Sequence, residues 1–229
     1  MSMNFFSLGA WIAKGYLMLL LVVVLVAGCG KQKNTPLAET YFKMAFLELS
    51  EQPDQPGAIK RALAHCDQAL QQEKKAEFYA LKATLLFKLG DFSASRQAYQ
   101  QALALHPDQP VRAEIENNYA CLLAQMGQGA AAQQMWRLLT ENVSYQTPEV
   151  AWVNLGRSYA TEQNLIQAKH ALEQAVVLEP SYLDAHYYLA VVAQRLGDVV
   201  LARQQADLVL ATAPEHTGAA ALARQLGNG

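Results

Sequence analysis

Charge is scarce in this chain. Only 17% of its 229 residues are Asp, Glu, Lys or Arg, the formal net charge is -2 and the isoelectric point is near 6.2. Nucleic-acid recognition needs a basic face or a basic domain, so a nucleic-acid partner is excluded. Cysteine is sparse too: Cys29, Cys66 and Cys121 are too few for a disulfide framework and stand in three different contexts. The histidines, His65, His106, His170, His186 and His216, lack the i, i+4 pairing of a helical metal site. His65 and Cys66 are neighbours in sequence, but adjacent positions on a helix point in different directions. No Gly-x-Ser-x-Gly elbow, phosphate loop or dinucleotide fingerprint occurs, and Gly127-Gln128-Gly129 is accounted for by a turn between helices. No metal, cofactor or enzymatic turnover is therefore expected.

What is abundant is apolar surface. Hydrophobic residues make up 52% of the chain, which excludes a disordered chain and suits one extended domain with a continuous core. Their spacing is clearest between Glu149 and Tyr182. Counting Glu149 as position 1 of a 34-residue unit places Trp152, Leu155, Tyr159 and Leu172 at 4, 7, 11 and 24. Gly156, Ala168 and Ala175 fall at 8, 20 and 27, and Pro180 at 32. The large residues lie on the facing stripes of two antiparallel helices, and the small ones mark where the backbones approach. Pro180 ends the second helix. This pattern resembles the tetratricopeptide repeat, and a single such hairpin cannot bury both faces, so neighbours are required.

The neighbours are present. The first unit, about 37–73, has a lengthened Pro-rich turn over Glu51 to Gly57 and places Ala62, Cys66 and Ala69 on an apolar stripe. The second, 76–109, carries Gly90-Asp91 as the end of one helix and the cap of the next. The third is placed at 113–146 with a long tail from Asn142 to Pro148, followed by 149–182 and 183–216. Thr217 to Leu226 is a short helix whose Leu222, Ala223 and Leu226 can cap the last unit. The expected fold is all-α, a right-handed superhelical solenoid of about five helix-turn-helix units with a C-terminal capping helix. Cys66 and Cys121 fall in units separated by a whole repeat, so each is read as a small apolar residue rather than half of a disulfide.

Before the repeats, residues 1–28 hold one charge, Lys14, then the apolar run Gly15 to Gly28. That run has the length of a signal-peptide core and is short for a membrane span, which needs ~20 residues. Val26-Ala27-Gly28-Cys29 resembles a bacterial lipobox, which implies acylation of Cys29 and a lipid-anchored domain outside the cytoplasm. Gly30 at the next position, by resemblance to lipoprotein sorting, implies the outer membrane and a domain facing the periplasm. Residues 29–36 are then the acylated cysteine and a short tether. An uncleaved N-terminal anchor is the competing reading, since Trp11 and Ile12 lengthen the apolar stretch.

A solenoid of this kind offers the face lined by its first helices. Here that face is Asn117, Cys121 and Gln125, then Val153, Arg157 and Thr161, then Asp184, Tyr187, Val191 and Arg195. Asn117, Val153, Arg157, Asp184, Tyr187, Val191 and Arg195 are the candidate partner-binding residues, with Tyr187 and Arg157 as anchors because aromatic and Arg side chains dominate binding hot spots. Ordinary packing between repeats is the alternative for each, and Tyr188 is assigned to packing. The clamp that some tetratricopeptide repeats use for a C-terminal carboxylate is not supported, because Thr84, Cys121, Arg157 and Val191 stand where it needs Asn. A mixed groove for a peptide helix or strand remains.

A repeat lipoprotein of this kind resembles the type IV pilus pilotin family. The likeness rests on Glu116-Asn117-Asn118-Tyr119, the turn from Tyr145 to Pro148, and Trp152-Val153-Asn154-Leu155-Gly156. It departs from that family at Ala120, where glycine is usual, in having five repeats rather than six, and in the Pro-rich insertion. The resemblance implies a scaffold, without turnover, that binds pilus secretin subunits and carries or holds them at the outer membrane through its acyl chains. A generic periplasmic adaptor in cell-wall synthesis or outer-membrane assembly is the alternative.

Overall fold

The computed structural model describes residues 35–51 and 55–227, and the expected signal segment and lipidated Cys29 lie outside them. Eleven α-helices make up the regular structure of the described residues, and no helix among them is long and apolar enough to cross a membrane. They fall into two compact units, divided after Leu105.

In the first unit, α1 (Thr35–Glu51) packs on α2 (Pro56–Gln72), and α3 (Ala76–Lys88) on α4 (Phe92–Ala104). Thr35 and Pro36, expected in the tether, already belong to α1, and Pro56 of the expected turn opens α2, where its missing N–H leaves no helical bond unmade. The apolar stripe of α2 is buried as its spacing requires: Ala62, Cys66 and Ala69 lie against Phe42, Ala45, Phe78 and Leu85. Phe42 meets Phe46 edge-on at 4.9 Å and Phe78 at 4.6 Å between ring centres. Burial, with the Asp67 charge beside it, pushes the Cys66 thiol up to about 12, so it is an inert apolar side chain.

The second unit contains α5 (Gln109–Gln125), α6 (Gly129–Thr140), α7 (Pro148–Thr161), α8 (Leu165–Leu178), α9 (Leu183–Leu196), α10 (Val199–Thr212) and α11 (Thr217–Gly227). Each helix packs on the next, and α5, α7, α9 and α11 also touch in series, which makes one continuous inner face from alternate helices. The third repeat begins earlier than Ala113. Asp108 accepts a hydrogen bond from the Val111 N–H at 3.4 Å, and Pro110 sits in the first turn, so residues 109–112 extend the first helix of that repeat.

Four of the turns between described helices share one design, and three of them use glycine. Gly90, Gly127 and Gly197 take φ of 82°, 79° and 81° at the ends of α3, α5 and α9, so the following N–H can reach back to close the helix. After α7 that left-handed position belongs to Gln163, at φ 65°, and the Asn164 N–H still bonds to the Tyr159 carbonyl at 2.9 Å. Arg195 of α9 supports this turn: its guanidinium donates to the Ala160 carbonyl at 2.9 Å and to Gln163 Oε1 at 2.7 Å.

Close approach of α7 and α8 depends on Gly156. A Cβ there would lie 2.7 Å from Leu172 Cγ and 3.2 Å from the Ala168 carbonyl oxygen. At the far end, Leu222 and Leu226 of α11 are buried with Ala190, Ala193, Ala202 and Ala206, so the last helix covers an apolar face that would otherwise meet water.

Candidate functional site

The inner face of the second unit is organised about Arg157. Its guanidinium carbon lies 4.5 Å from the centre of the Tyr188 ring, and its charge is felt at Cys121 on α5 and at Asp184 on α9. Burial pushes the Cys121 thiol up to about 11, with Arg157 pulling it down. Burial also raises Asp184, against the pull of Arg157, His216 and a hydrogen bond from the Tyr182 hydroxyl at 3.5 Å. Tyr188 is raised by burial as well, Arg157 opposing. One cation thus serves three consecutive first helices, in surroundings poor enough in water for its field to matter.

The other sequence candidates fall into two groups. Asp184, Tyr187 and Val191 are half-buried on the same face as Arg157, and Arg195 is exposed at the turn it supports. Tyr187 packs its ring 4.7 Å from His216 and 5.1 Å from Tyr188, with Gly218 directly beneath its hydroxyl, so its ring is engaged with the chain leading into α11. Asn117 and Val153 do not reach a partner-accessible surface. Val153 is 2% exposed, inside the cluster of Leu172, Ala175 and Leu189. Asn117 is 5% exposed because its Oδ1 accepts from Trp136 Nε1 and from Asn154 Nδ2, each at 3.1 Å. Position within the repeat brought Asn117 toward the inner face, but a buried indole N–H requires an acceptor and draws the amide inward.

A second group of residues had no place among the sequence candidates. Glu114 on α5 and Glu149 on α7 approach closely enough to repel, and burial together with Glu149 pushes the Glu114 carboxyl up to about 8. Glu149 is raised by burial, and Glu179 at the end of α8 adds to it. Beside them stands Tyr145, held by the turn after α6: Asn142 Oδ1 accepts from the Ser144 N–H at 2.9 Å, and the Tyr145 N–H bonds to the Asn142 carbonyl at 3.0 Å. Tyr145 is 4% exposed, and its hydroxyl and that of Thr147 are buried within interaction range of each other, with no other partner among the described residues. Burial and the Glu114 charge raise Tyr145 well above the usual phenol range. Glu114 occupies the same repeat position as Asp184, and that was the available signal in the sequence.

Among the described residues no three His, Cys, Asp or Glu side chains converge as metal ligands. The arrangement offers side-chain packing, the guanidinium groups of Arg157 and Arg195 and a set of acceptors, which is the equipment of a protein-binding face.

Models of the family described as Tetratricopeptide repeat match residues 153–217 and 76–109. No curated protein matches the chain. Among solved structures, the chain is similar to PilW, a widely conserved type IV pilus biogenesis factor, with TM-score 0.70 and 19% identity over 83% of this chain and 90% of that one. It is similar to PilF of Pseudomonas aeruginosa, with TM-score 0.67 and 19% identity over 86% of this chain and 93% of that one. It is also similar to YrrB, a tetratricopeptide repeat protein with an unusual peptide-binding site, with TM-score 0.54 and 20% identity over 80% and 90%. At such identities the likeness is one of fold. Helix pairing, turn chemistry and the matched repeats together make this chain an all-helical protein built on tetratricopeptide repeats.

Proposed function

We propose that this protein is a lipid-anchored, non-enzymatic scaffold of the outer membrane that assists assembly or stability of the type IV pilus secretin. The observation that carries the reading is the extent of the structural likeness: PilW and PilF are each covered over 90% and 93% of their length by this one chain. The lipobox-like Val26-Ala27-Gly28-Cys29 and the Asn117-Asn118-Tyr119 segment add to it. On this reading the acylated Cys29 holds the repeats at the periplasmic side of the membrane. Each buried methylene of an acyl chain contributes ~0.8 kcal/mol, so several chains anchor where one would not. The inner face around Arg157, Asp184, Tyr187, Val191 and Arg195 then receives a segment of the secretin subunit.

Deletion of the gene tests this directly. Heat-stable secretin multimers in outer-membrane fractions are expected to vanish and to return with the wild-type gene, while Cys29→Ala restores them poorly. Unchanged multimers and unchanged twitching would remove the pilus assignment and leave a periplasmic adaptor for other envelope machinery.

A further inference from the structure

The outer side of α1 is apolar where the terminal helix of a repeat array is ordinarily polar. Leu37, Met44 and Leu47 are 42%, 38% and 61% exposed. With the exposed Thr40 they follow one another at i, i+3, i+7 and i+10, which is one stripe along the helix. The opposite side, Ala38, Phe42, Ala45 and Leu49, is buried in the core of the first unit. The last helix, α11, shows the contrary arrangement: Leu222 and Leu226 are buried, and Thr217, Arg224 and Gln225 are exposed. A terminal helix with a polar outer side needs no further cover, whereas an apolar stripe does.

The charges of the first unit are arranged to suit one kind of cover. The Glu39 carboxylate accepts from Lys75 Nζ at 2.5 Å and the Glu48 carboxylate from Arg61 Nε at 2.7 Å, so both acids are tied to neighbouring elements. On α2, Asp67 is likewise paired with Lys82 at 2.6 Å. Lys43, exposed beside Met44, and the exposed Lys60 of α2 have no ion-pair partner among the described residues. Apolar side chains next to an unpaired Lys, with the acids neutralised, match a bilayer surface bearing anionic head groups. The apolar groups enter the head-group boundary, and the Lys stem lies along them with its ammonium in water.

The place of α1 in the chain points the same way. Thr35, its first residue, comes six residues after Cys29, and six residues span at most ~20 Å. The helix itself is about 26 Å long, so a lipid-anchored Cys29 keeps the whole stripe close to the bilayer.

We propose that the stripe of Leu37, Thr40, Met44 and Leu47, with Lys43 at its edge, lies on the surface of the lipid bilayer. This rests on the reading of Cys29 as a lipid anchor and deepens it. Acyl chains at one residue fix a point, whereas a helix lying along the surface fixes a direction. The first unit is thereby held in one orientation to the membrane instead of swinging on its tether.

The test uses the full chain, purified from membranes and reconstituted into vesicles of phosphatidylethanolamine and phosphatidylglycerol. One chain carries an environment-sensitive fluorophore on Thr40→Cys and another carries it on Arg224→Cys. Labelling of Cys66 and Cys121 is read on the chain without an added cysteine. Lipids with a nitroxide near the head group should quench the fluorophore on Thr40→Cys about threefold or more above that on Arg224→Cys. Adding Leu37→Gln, Met44→Gln and Leu47→Gln should bring the two to the same level. All three residues are exposed, so this variant keeps the fold, which its melting curve checks. Lys43→Gln, or phosphatidylcholine in place of phosphatidylglycerol, should remove part of the quenching. Equal quenching at the two labels in a chain whose N-terminal peptide has the mass of an acylated Cys29 overturns the proposal and leaves the anchor standing. Energy transfer between differently labelled Thr40→Cys chains, without quenching by the lipids, shows a second copy as the cover and also overturns it. A Cys29 without acyl chains overturns the anchor and this proposal together.

Discussion

The Arg157 guanidinium lies 4.5 Å from the centre of the Tyr188 ring, joining α7 to α9 across the inner face. A cation over an aromatic face in a partly desolvated setting contributes about 0.5–2 kcal/mol. Arg157→Met keeps most of the volume and removes the charge. A double-mutant cycle with Tyr188→Leu should give a coupling of about 0.5–1 kcal/mol by denaturant unfolding. A coupling near zero would mean that the ring and the guanidinium merely lie side by side.

Asn117 is the hub of a buried polar junction, accepting from Trp136 on α6 and Asn154 on α7. Asn117→Ala strands the indole N–H and loses two hydrogen bonds, for an expected loss of about 1–3 kcal/mol. Asn117→Asp keeps the acceptor geometry and should recover part of that loss at low pH, where the carboxyl is neutral. Thermal melts of the three proteins at acid and neutral pH read both effects.

Gly156→Ala places a methyl 2.7 Å from Leu172 Cγ, a side-chain atom held in a close-packed core. Overpacking of this kind costs about 1–3 kcal/mol. Combined with Leu172→Ala, which opens space at the same point, the loss should be smaller than the sum of the two single losses. Strict additivity in urea unfolding would show that the helices had simply moved apart.

Stability should depend on pH through Glu114. Its carboxyl stands at about 8 in the folded chain against 4.5 for the ordinary group, because burial and Glu149 disfavour the ionised form. A folded-state value raised in this way means that the folded chain holds its proton longer. The contribution is therefore fully present below 4.5 and is lost as pH rises through about 8. Glu114→Gln has no such loss, so relative to wild type it should gain stability with rising pH, on the order of 1–3 kcal/mol once solvent screening is allowed for. Parallel melting curves of variant and wild type across that range would refute the placement of Glu114 in a dry, like-charged setting.

Much of the architecture was legible in the residues because repeats encode it locally. The spacing of Trp152, Leu155, Gly156, Tyr159, Ala168 and Leu172 predicts two facing helices, and α7 and α8 lie there. Gly90-Asp91 predicts a turn and a cap, and Asp91 accepts from the Ala94 N–H at 3.0 Å. The start of α5 was missed because a helix that overruns its repeat leaves the hydrophobic spacing unchanged, and only Asp108 and Pro110 mark the earlier beginning. Within the candidate site, Arg157, Asp184 and Tyr187 share a face as their positions in the repeat imply, while Asn117 and Val153 turned inward.

The sequence by itself determined the helices, their pairing and the inner face, because each of these depends on residues a few positions apart. Only the tertiary structure decided what stands beside what across that face. Trp136 drew Asn117 inward, and Arg195 was taken up by the turn at Gln163. Glu114 and Glu149, on separate helices, came together beside the buried hydroxyl of Tyr145. Those relationships depend on distances between helices, and the energy of a charge or a hydrogen bond is set by such distances and by the exclusion of water, neither of which is written into a local spacing.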